Sequence, residues 1–433
     1  MIEIFNIFYL TIGLTLIFLF PSKVIFNSLK NTNNDLFEIL SINIILVLNL
    51  FLILSFLKLN LIYVFCIFAF LGLLNFILFY KSILIKKNYL FLIFLFFSIM
   101  LSFKIAVNPR MDWDASVIWI FKAKNFYDGF NFSNLSNVPG VVAYPHLGTY
   151  GWGLLWKNSL VDYEYTGRIF YIYIYLISIF FLVNRFNLSF ITKIIAIFLL
   201  TILTFDHGLF SGYQEPLLFA LIIILFETAR KANSFNNLNI FHFLCILNAN
   251  LILWVKNEGF VWLLIILIYF LIHKKYNSKI KVLYSLSFIL LIVIKFLVFN
   301  LYFKESLIGW KGYEFIAISQ IFSLEILQRL PVLIYQLIQV FFKYPIYLIF
   351  LLLNLYLLLI KKISYENKIY ILLLVLNCGL SVSIFYFTTN PLWQFHASVG
   401  LDRMLYQTSG IYLFSILYIF NKYLIKIDKK DKI

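Results

Sequence analysis

The chain has 433 residues, 63% of them hydrophobic and only 12% charged, and it contains several apolar stretches near twenty residues long. A water-soluble core of this size has no use for such stretches, so the composition excludes a soluble globular protein and indicates an integral membrane protein in contact with a lipid bilayer. The formal net charge of +16 would suggest nucleic acid for a soluble chain, but here most of it falls in short loops between apolar segments, so no nucleic-acid partner is expected.

Thirteen segments read as spans, at roughly 3–20, 40–57, 61–80, 89–106, 166–183, 190–205, 215–229, 239–255, 258–273, 281–302, 344–360, 368–388 and 409–423. The first has an acidic flank and no small-residue cleavage site after it, which reads as a retained helix and not a signal peptide. With the long loop 107–165 outside, the loops 21–39, 81–88, 184–193, 230–238, 274–281, 361–368 and the tail from 422 share the cytoplasmic face. They carry 21 of the 35 Lys and Arg, an asymmetry that predicts the N-terminus outside and the C-terminus in the cytoplasm. The stretch 323–345 contains Glu325, Arg329 and Pro331, and counting it as a span would place the basic tail outside; it is expected to be an interfacial amphipathic helix. Cys66, Cys245 and Cys378 sit in apolar segments without metal-ligand spacing. The expected fold is all-α: a polytopic transmembrane bundle of about thirteen spans with a long extracytoplasmic loop carrying juxtamembrane helices.

Polar residues that interrupt this pattern collect in four places, all on the predicted outer side. The first is "NPRMDWDASVIWIFKAKNFYDG", with Asp112, Trp113, Asp114 and Trp119, followed by Tyr144 and His146 in "AYPHLGTYGWG". Either aspartate could cap the helix that starts there, but only one of them can. The second is Asp206, His207 and Glu215 in "FDHGLFSGYQEPLL", where Glu215 followed by Pro216 also reads as an ordinary helix start. The third is Lys256, Asn257 and Glu258 in "LWVKNEGFVW", a tight hairpin between two spans whose Lys and Glu, held near lipid, need a reason beyond the turn. The fourth is "FHASVGLDRMLYQ", with His396, Asp402 and Arg403; the arginine reads equally as a snorkelling anchor or as the partner of Asp402.

Carboxylates with one or two cations at a lipid boundary suit transfer of a group from a phosphate-linked lipid to a hydroxyl. A carboxylate takes the proton of the attacking hydroxyl, and Lys256 and Arg403 neutralise charge on the departing phosphate. A divalent metal ion held by Asp112, Asp114 and Glu215 is compatible with this chemistry, but nothing in the spacing demands it. There is no Gly-rich phosphate loop, nucleophile elbow or zinc motif.

In their order along the chain these motifs resemble the GT-C polytopic glycosyltransferases, in particular the group that includes protein mannosyltransferases, lipid A aminoarabinose transferases and Rhizobium lipopolysaccharide transferases. "DWDASVIWIFKAKNFYDG" and "YPHLGTYGWGLLW" stand where that family has its acidic loop motif and its "HPPL"-like segment. Glu215 in "GYQEPLL" matches its second acidic position, "VKNEG" is similar to its "TKG" hairpin, and Arg403 in "LDRMLYQ" resembles its late arginine. Two features depart from the family: four spans precede the acidic motif where one is usual, and His146 follows its proline instead of preceding it.

The resemblance implies an added N-terminal module at 1–88, a catalytic region at 89–423 including the loop 107–165, and a basic cytoplasmic tail at 424–433. It implies an inverting transfer of a sugar from a polyprenyl-phosphate donor to a glycolipid, cell-surface polysaccharide or protein acceptor. The expected place is the extracytoplasmic side of a bacterial inner (plasma) membrane, in building the cell envelope. Asp114 is the first choice for the base and Asp112 the second, with Glu215 positioning the acceptor or holding a metal and Lys256 and Arg403 on the donor phosphate. Trp113, Trp119, Tyr144, His146, Glu258 and His396 are the expected substrate contacts, although aromatics near a membrane surface also form its ordinary belt.

The rival readings are a transporter or flippase of a lipid-linked saccharide and an oligosaccharide polymerase or ligase. A transporter would place polar groups at the midplane on broken helices and is often built from repeated halves. No repeat is visible, and only Arg168, Glu227 and Lys295 fall inside spans.

Overall fold

The computed structural model describes residues 2–21, 35–83, 89–138, 144–186, 188–233, 238–303 and 323–423. The predicted basic tail, residues 424–433, lies outside the described residues, as do parts of the predicted loops 21–39, 81–88 and 107–165. Among the described residues the protein is entirely helical, without strands. This is what lipid demands, because a helix satisfies its own backbone N–H and C=O groups where no water can.

In chain order the helices are α1 (Ile2–Leu19), α2 (Leu36–Leu54), α3 (Leu61–Ile83), α4 (Tyr89–Val107), α5 (Ile120–Tyr127), α6 (Leu147–Lys157), α7 (Tyr165–Asn184), α8 (Phe190–Thr204) and α9 (Glu215–Ala232). They continue with α10 (Ile240–Val255), α11 (Gly259–Ile272), α12 (Ser278–Phe303), α13 (Leu324–Leu327), α14 (Arg329–Lys343), α15 (Ile346–Leu359), α16 (Tyr365–Tyr386) and α17 (Trp393–Tyr423). Each of the thirteen apolar segments expected from the sequence falls on one of these helices. Among the described residues eight helical stretches are long and apolar enough to cross a membrane, and α8, α10, α11 and α15 are shorter apolar helices.

Those eight include Leu324–Lys343, which the sequence reading set at the interface. The stretch is divided between α13 and α14, and α14 lies along the start of α17. Arg329 donates to the Thr388 carbonyl at 2.6 Å, Gln336 to the Gln394 carbonyl at 3.3 Å, and Lys343 pairs with Asp402. These three polar residues recur every seven positions and form one face, while Leu330, Ile334, Ile338 and Phe342 are exposed on the other sides.

The buried centre of the bundle is α7, α9 and the inner half of α17, with α2 wedged between α7 and α10. The N-terminal helices share this core. Gly72 of α3 lies so close to α1 that a Cβ there would stand 1.7 Å from the Leu16 carbonyl oxygen, so the two backbones touch without side chains between them. Buried amides link neighbouring helices: Asn43 donates to the Phe18 carbonyl at 2.8 Å, Asn248 to the Leu221 carbonyl at 3.0 Å, and Asn377 to the Thr408 hydroxyl at 2.6 Å.

Charged groups gather at the two ends of the bundle. At one end the N-terminus of α2 meets the C-termini of α7 and α9, where Glu38 pairs with Arg185 at 3.1 Å and with Lys231, and Arg230 pairs with Glu227 at 3.0 Å. At the other end the loop after α4, the starts of α7 and α9, the α10–α11 hairpin and the outer part of α17 converge.

Candidate functional site

Four elements distant in sequence supply the second cluster. Glu215, the first residue of α9, is fully buried, and its Oε1 accepts from Arg403 Nε at 2.6 Å and from Lys256 Nζ at 2.9 Å. The guanidinium of Arg403 also reaches Asp114, NH1 to Oδ2 at 2.5 Å, and lies 4.2 Å from the centre of the Tyr213 ring. Lys256 makes a further pair with Glu258 at 3.0 Å. Asp114, Glu215, Glu258, Lys256 and Arg403 thus form one continuous ionic network. Arg403 is neither a snorkelling anchor nor the partner of Asp402. A buried carboxylate between two cations is expensive to assemble in an apolar bundle and fixes both cations in place.

Local geometry explains how each side chain arrives. At the α10–α11 connection Gly259 N–H donates to the Lys256 carbonyl at 3.1 Å, which closes a tight hairpin; a Cβ at Gly259 would lie 2.1 Å from the Ile252 carbonyl oxygen. Lys295 of α12 donates to the Leu253 carbonyl at 2.7 Å, placing a cation on the C-terminal end of α10. The Asp114 loop is clamped by Arg168 in the first turn of α7. Its guanidinium donates to the carbonyls of Pro109 at 2.6 Å and Arg110 at 3.1 Å while pairing with Glu164 at 2.5 Å. Burial raises the Glu164 carboxyl against the opposing pull of Arg168.

Asp114 begins a short π-helical turn, Ala115–Trp119, and its side chain caps no backbone N–H, so the capping alternative does not account for it. Asp112 accepts the Ser116 N–H through its backbone carbonyl at 2.9 Å, and its own N–H donates to the Ser211 hydroxyl at 3.3 Å. Burial, and beyond it the carboxylates of Asp114, Asp112 and Glu215, push the Tyr213 hydroxyl up to about 12 against the pull of Arg403. Tyr213 therefore keeps its proton beside these carboxylates at neutral pH.

The other expected substrate residues sit elsewhere. Trp113 is on the surface, 70% exposed, next to both aspartates. Trp119 and Tyr144 face inward and pack edge to face at 5.2 Å between ring centres, forming part of the core of the loop. His146 is sealed between Phe56, Phe126, Phe132 and Trp254, and its Nε2 hydrogen-bonds the Ser55 hydroxyl at 2.6 Å. Burial, with the charges of Lys122 and Lys295 beside it, holds its pKa well below the ordinary value. His396 lies two turns before Arg403 on α17, beside Phe395. Trp119 and His146 are thus core residues, buried among other side chains.

Sequence reasoning missed two features. Tyr213, two residues before Glu215, supplies the ring under Arg403. Beside the network, Asp206 and Asp402 both face Lys343, and Asp206 accepts from the Tyr344 hydroxyl at 3.2 Å. The seven-residue spacing of Arg329, Gln336 and Lys343 was the available signal for the second feature. Among the described residues no three His, Cys, Asp or Glu side chains are grouped to hold a metal; cations face Asp114 and Glu215. No family model, curated protein or solved structure matches this chain.

Proposed function

We propose that the protein is a membrane glycosyltransferase of the GT-C type, moving a sugar from a polyprenyl-phosphate donor to a hydroxyl acceptor with inversion. The observation that carries this reading is the network in which Arg403 bridges Asp114 and Glu215 while Lys256 shares Glu215. Glu215 holds two cations side by side, and among the described residues Asp114 and Glu258 pair with them at the exposed side. A donor phosphate competes with Asp114 for Arg403, and its arrival frees the carboxylate to act as a base. The acceptor oxygen then attacks the anomeric carbon and gives its proton to Asp114. The bond from that carbon to phosphate oxygen breaks, and the polyprenyl phosphate leaves with the electron pair against Arg403 and Lys256.

The same reading takes thirteen helices as crossing the bilayer, with the network on the extracytoplasmic side. It is supported by the two-ended charge arrangement, since Arg185, Arg230, Lys231, Lys274 and Lys275 lie at the end away from Asp114.

The test is to incubate the purified full-length protein with a panel of radiolabelled polyprenyl-phosphate sugars and measure released polyprenyl phosphate. Turnover with one donor is expected, falling roughly 10²- to 10⁴-fold in Asp114→Asn and less in Asp112→Asn. No release from any donor by folded protein counts against the reading. Saccharide transport that survives Asp114→Asn would favour a carrier.

A further inference from the structure

Lys295 is a buried lysine on a helix that otherwise packs through apolar and aromatic side chains. The inward stripe of α12, at helical spacing against α10 and α11, is Ile280, Tyr284, Phe288, Lys295 and Phe299. An apolar side chain at 295 would complete that stripe, whereas an ionisable group only 3% exposed inside a membrane bundle is expensive. Its hydrogen bonds go to neutral oxygens: Nζ donates to the Leu253 carbonyl at 2.7 Å and to Asn257 Oδ1 at 3.4 Å. Neither offsets the burial as a carboxylate would.

These two oxygens bracket Lys256. Leu253 lies in the last turn of α10, where terminal carbonyls have no partner within the helix, and Asn257 lies in the hairpin beyond it. Between them Lys256 leaves the helix in an extended conformation, with φ −153° and ψ 158°. Glu215 and Glu258 hold the Lys256 side chain, while Lys295 ties down the backbone on both sides of it.

We propose that Lys295 is a positioning residue of the donor site, holding the hairpin so that the Lys256 ammonium stays on Glu215 and faces the departing phosphate. The inference rests on the transferase reading, in which Lys256 meets that phosphate. Lys295 acts through Lys256 and needs no contact with the donor. Removing it forfeits a hydrogen bond to the Leu253 carbonyl but also relieves the cost of a buried ionisable group, so the net effect on stability is expected to be small.

Native mass spectrometry of the purified full-length protein, titrated with polyprenyl phosphate, tests this in the parent, Lys256→Met, Lys295→Met and the double variant. Lys295→Met is expected to melt close to the parent and to bind roughly tenfold more weakly. In the Lys256→Met background the same change is expected to cost less than about twofold, because the residue it acts through is gone. Losses that multiply in the double variant, or unchanged binding by a folded Lys295→Met protein, overturn the proposal. If Lys295→Met melts far below the parent, Lys295→Gln, which keeps an N–H donor, carries the same comparison. A smaller loss that vanishes beside Lys256→Met supports the proposal, and one that persists there overturns it. Turnover is measured separately. Binding that depends on Lys295 without turnover of any donor removes the transferase reading and keeps the positioning role; turnover with an affinity indifferent to Lys295 does the reverse. A parent that binds no polyprenyl phosphate overturns both.

Discussion

Asp402 and Arg403 are consecutive on α17 yet belong to different ion pairs: Arg403 turns to Glu215 and Asp114, and Asp402 turns to Lys343. Successive helical residues point about 100° apart, so one turn of α17 presents a cation to one wall and a carboxylate to another. The helix is 31 residues long, about 46 Å at 1.5 Å per residue, against a hydrocarbon thickness of roughly 30 Å. It therefore outruns its neighbour α16, whose end is level with Gly400, where a Cβ would meet the Phe385 ring at 2.5 Å. Arg403 sits one turn inside that level.

Removing Arg403 leaves Glu215 with Lys256 alone and Asp114 without its cation. Arg403→Ala is expected to cost about 3 kcal/mol or more, the range for breaking a buried pair, and to abolish turnover. Arg403→Lys keeps the charge, but one ammonium cannot serve both carboxylates in the guanidinium's geometry, so turnover falls by roughly 10² with a smaller change in melting temperature. An Arg403→Ala protein that melts like the parent would contradict the ion-pair geometry.

Arg168 is expected to act on Asp114 at a distance, through the carbonyls of Pro109 and Arg110. Arg168→Lys retains a cation for Glu164 but loses the fork that holds the loop. Turnover should drop roughly 10²-fold through misplacement of Asp114, with the melting temperature little changed. A parallel loss of both would mark the residue as structural only.

At the hairpin, Gly259→Ala puts a methyl group 2.1 Å from the Ile252 carbonyl oxygen, and backbone must move to relieve it. The expected cost is roughly 1–3 kcal/mol, with loss of turnover because Lys256 moves too. Gly379→Ala is the control: it is helical and nothing lies within 4 Å of its added Cβ, so it should be neutral or slightly stabilising. Melting temperatures of the two variants, measured side by side, decide the point.

His146 makes stability depend on pH. In the folded protein its pKa is depressed below the ordinary 6.5 by burial and by Lys122 and Lys295, so the unfolded chain binds a proton that the folded one refuses. The stabilisation is complete above 6.5 and is lost as pH falls from there towards the folded value. His207 and His273 are shifted in the same direction. A melting-temperature series from roughly pH 7 to pH 5 should therefore fall on the acid side, and less steeply in His146→Gln. Identical slopes in the two proteins would remove His146 from this account.

Much of the fold was legible because lipid makes the rule local: an apolar stretch that must satisfy its own backbone becomes a helix, whatever it packs against. The hairpin at Lys256–Glu258 was legible for a similar reason, since Asn and Gly at that point allow the chain to reverse. The direction of the inward-facing residues was not. Trp119, Tyr144 and His146 look like exposed loop residues in the sequence, yet the loop folds back on α2 and α10 and buries them. Arg168 stood out in the sequence only as one of three charged residues inside the expected spans; the structure makes it the clamp on the loop.

Hydropathy by itself determined that this is an all-helical membrane protein and which apolar segments are helices, because it acts within one turn or one span. Only the tertiary structure decided which charges meet. Glu215 and Arg403 are 188 residues apart and touch at 2.6 Å because of how α9 and α17 are rotated about their axes and how closely they pack. Rotation and approach are set by many side-chain contacts at once, so no single stretch of sequence carries them.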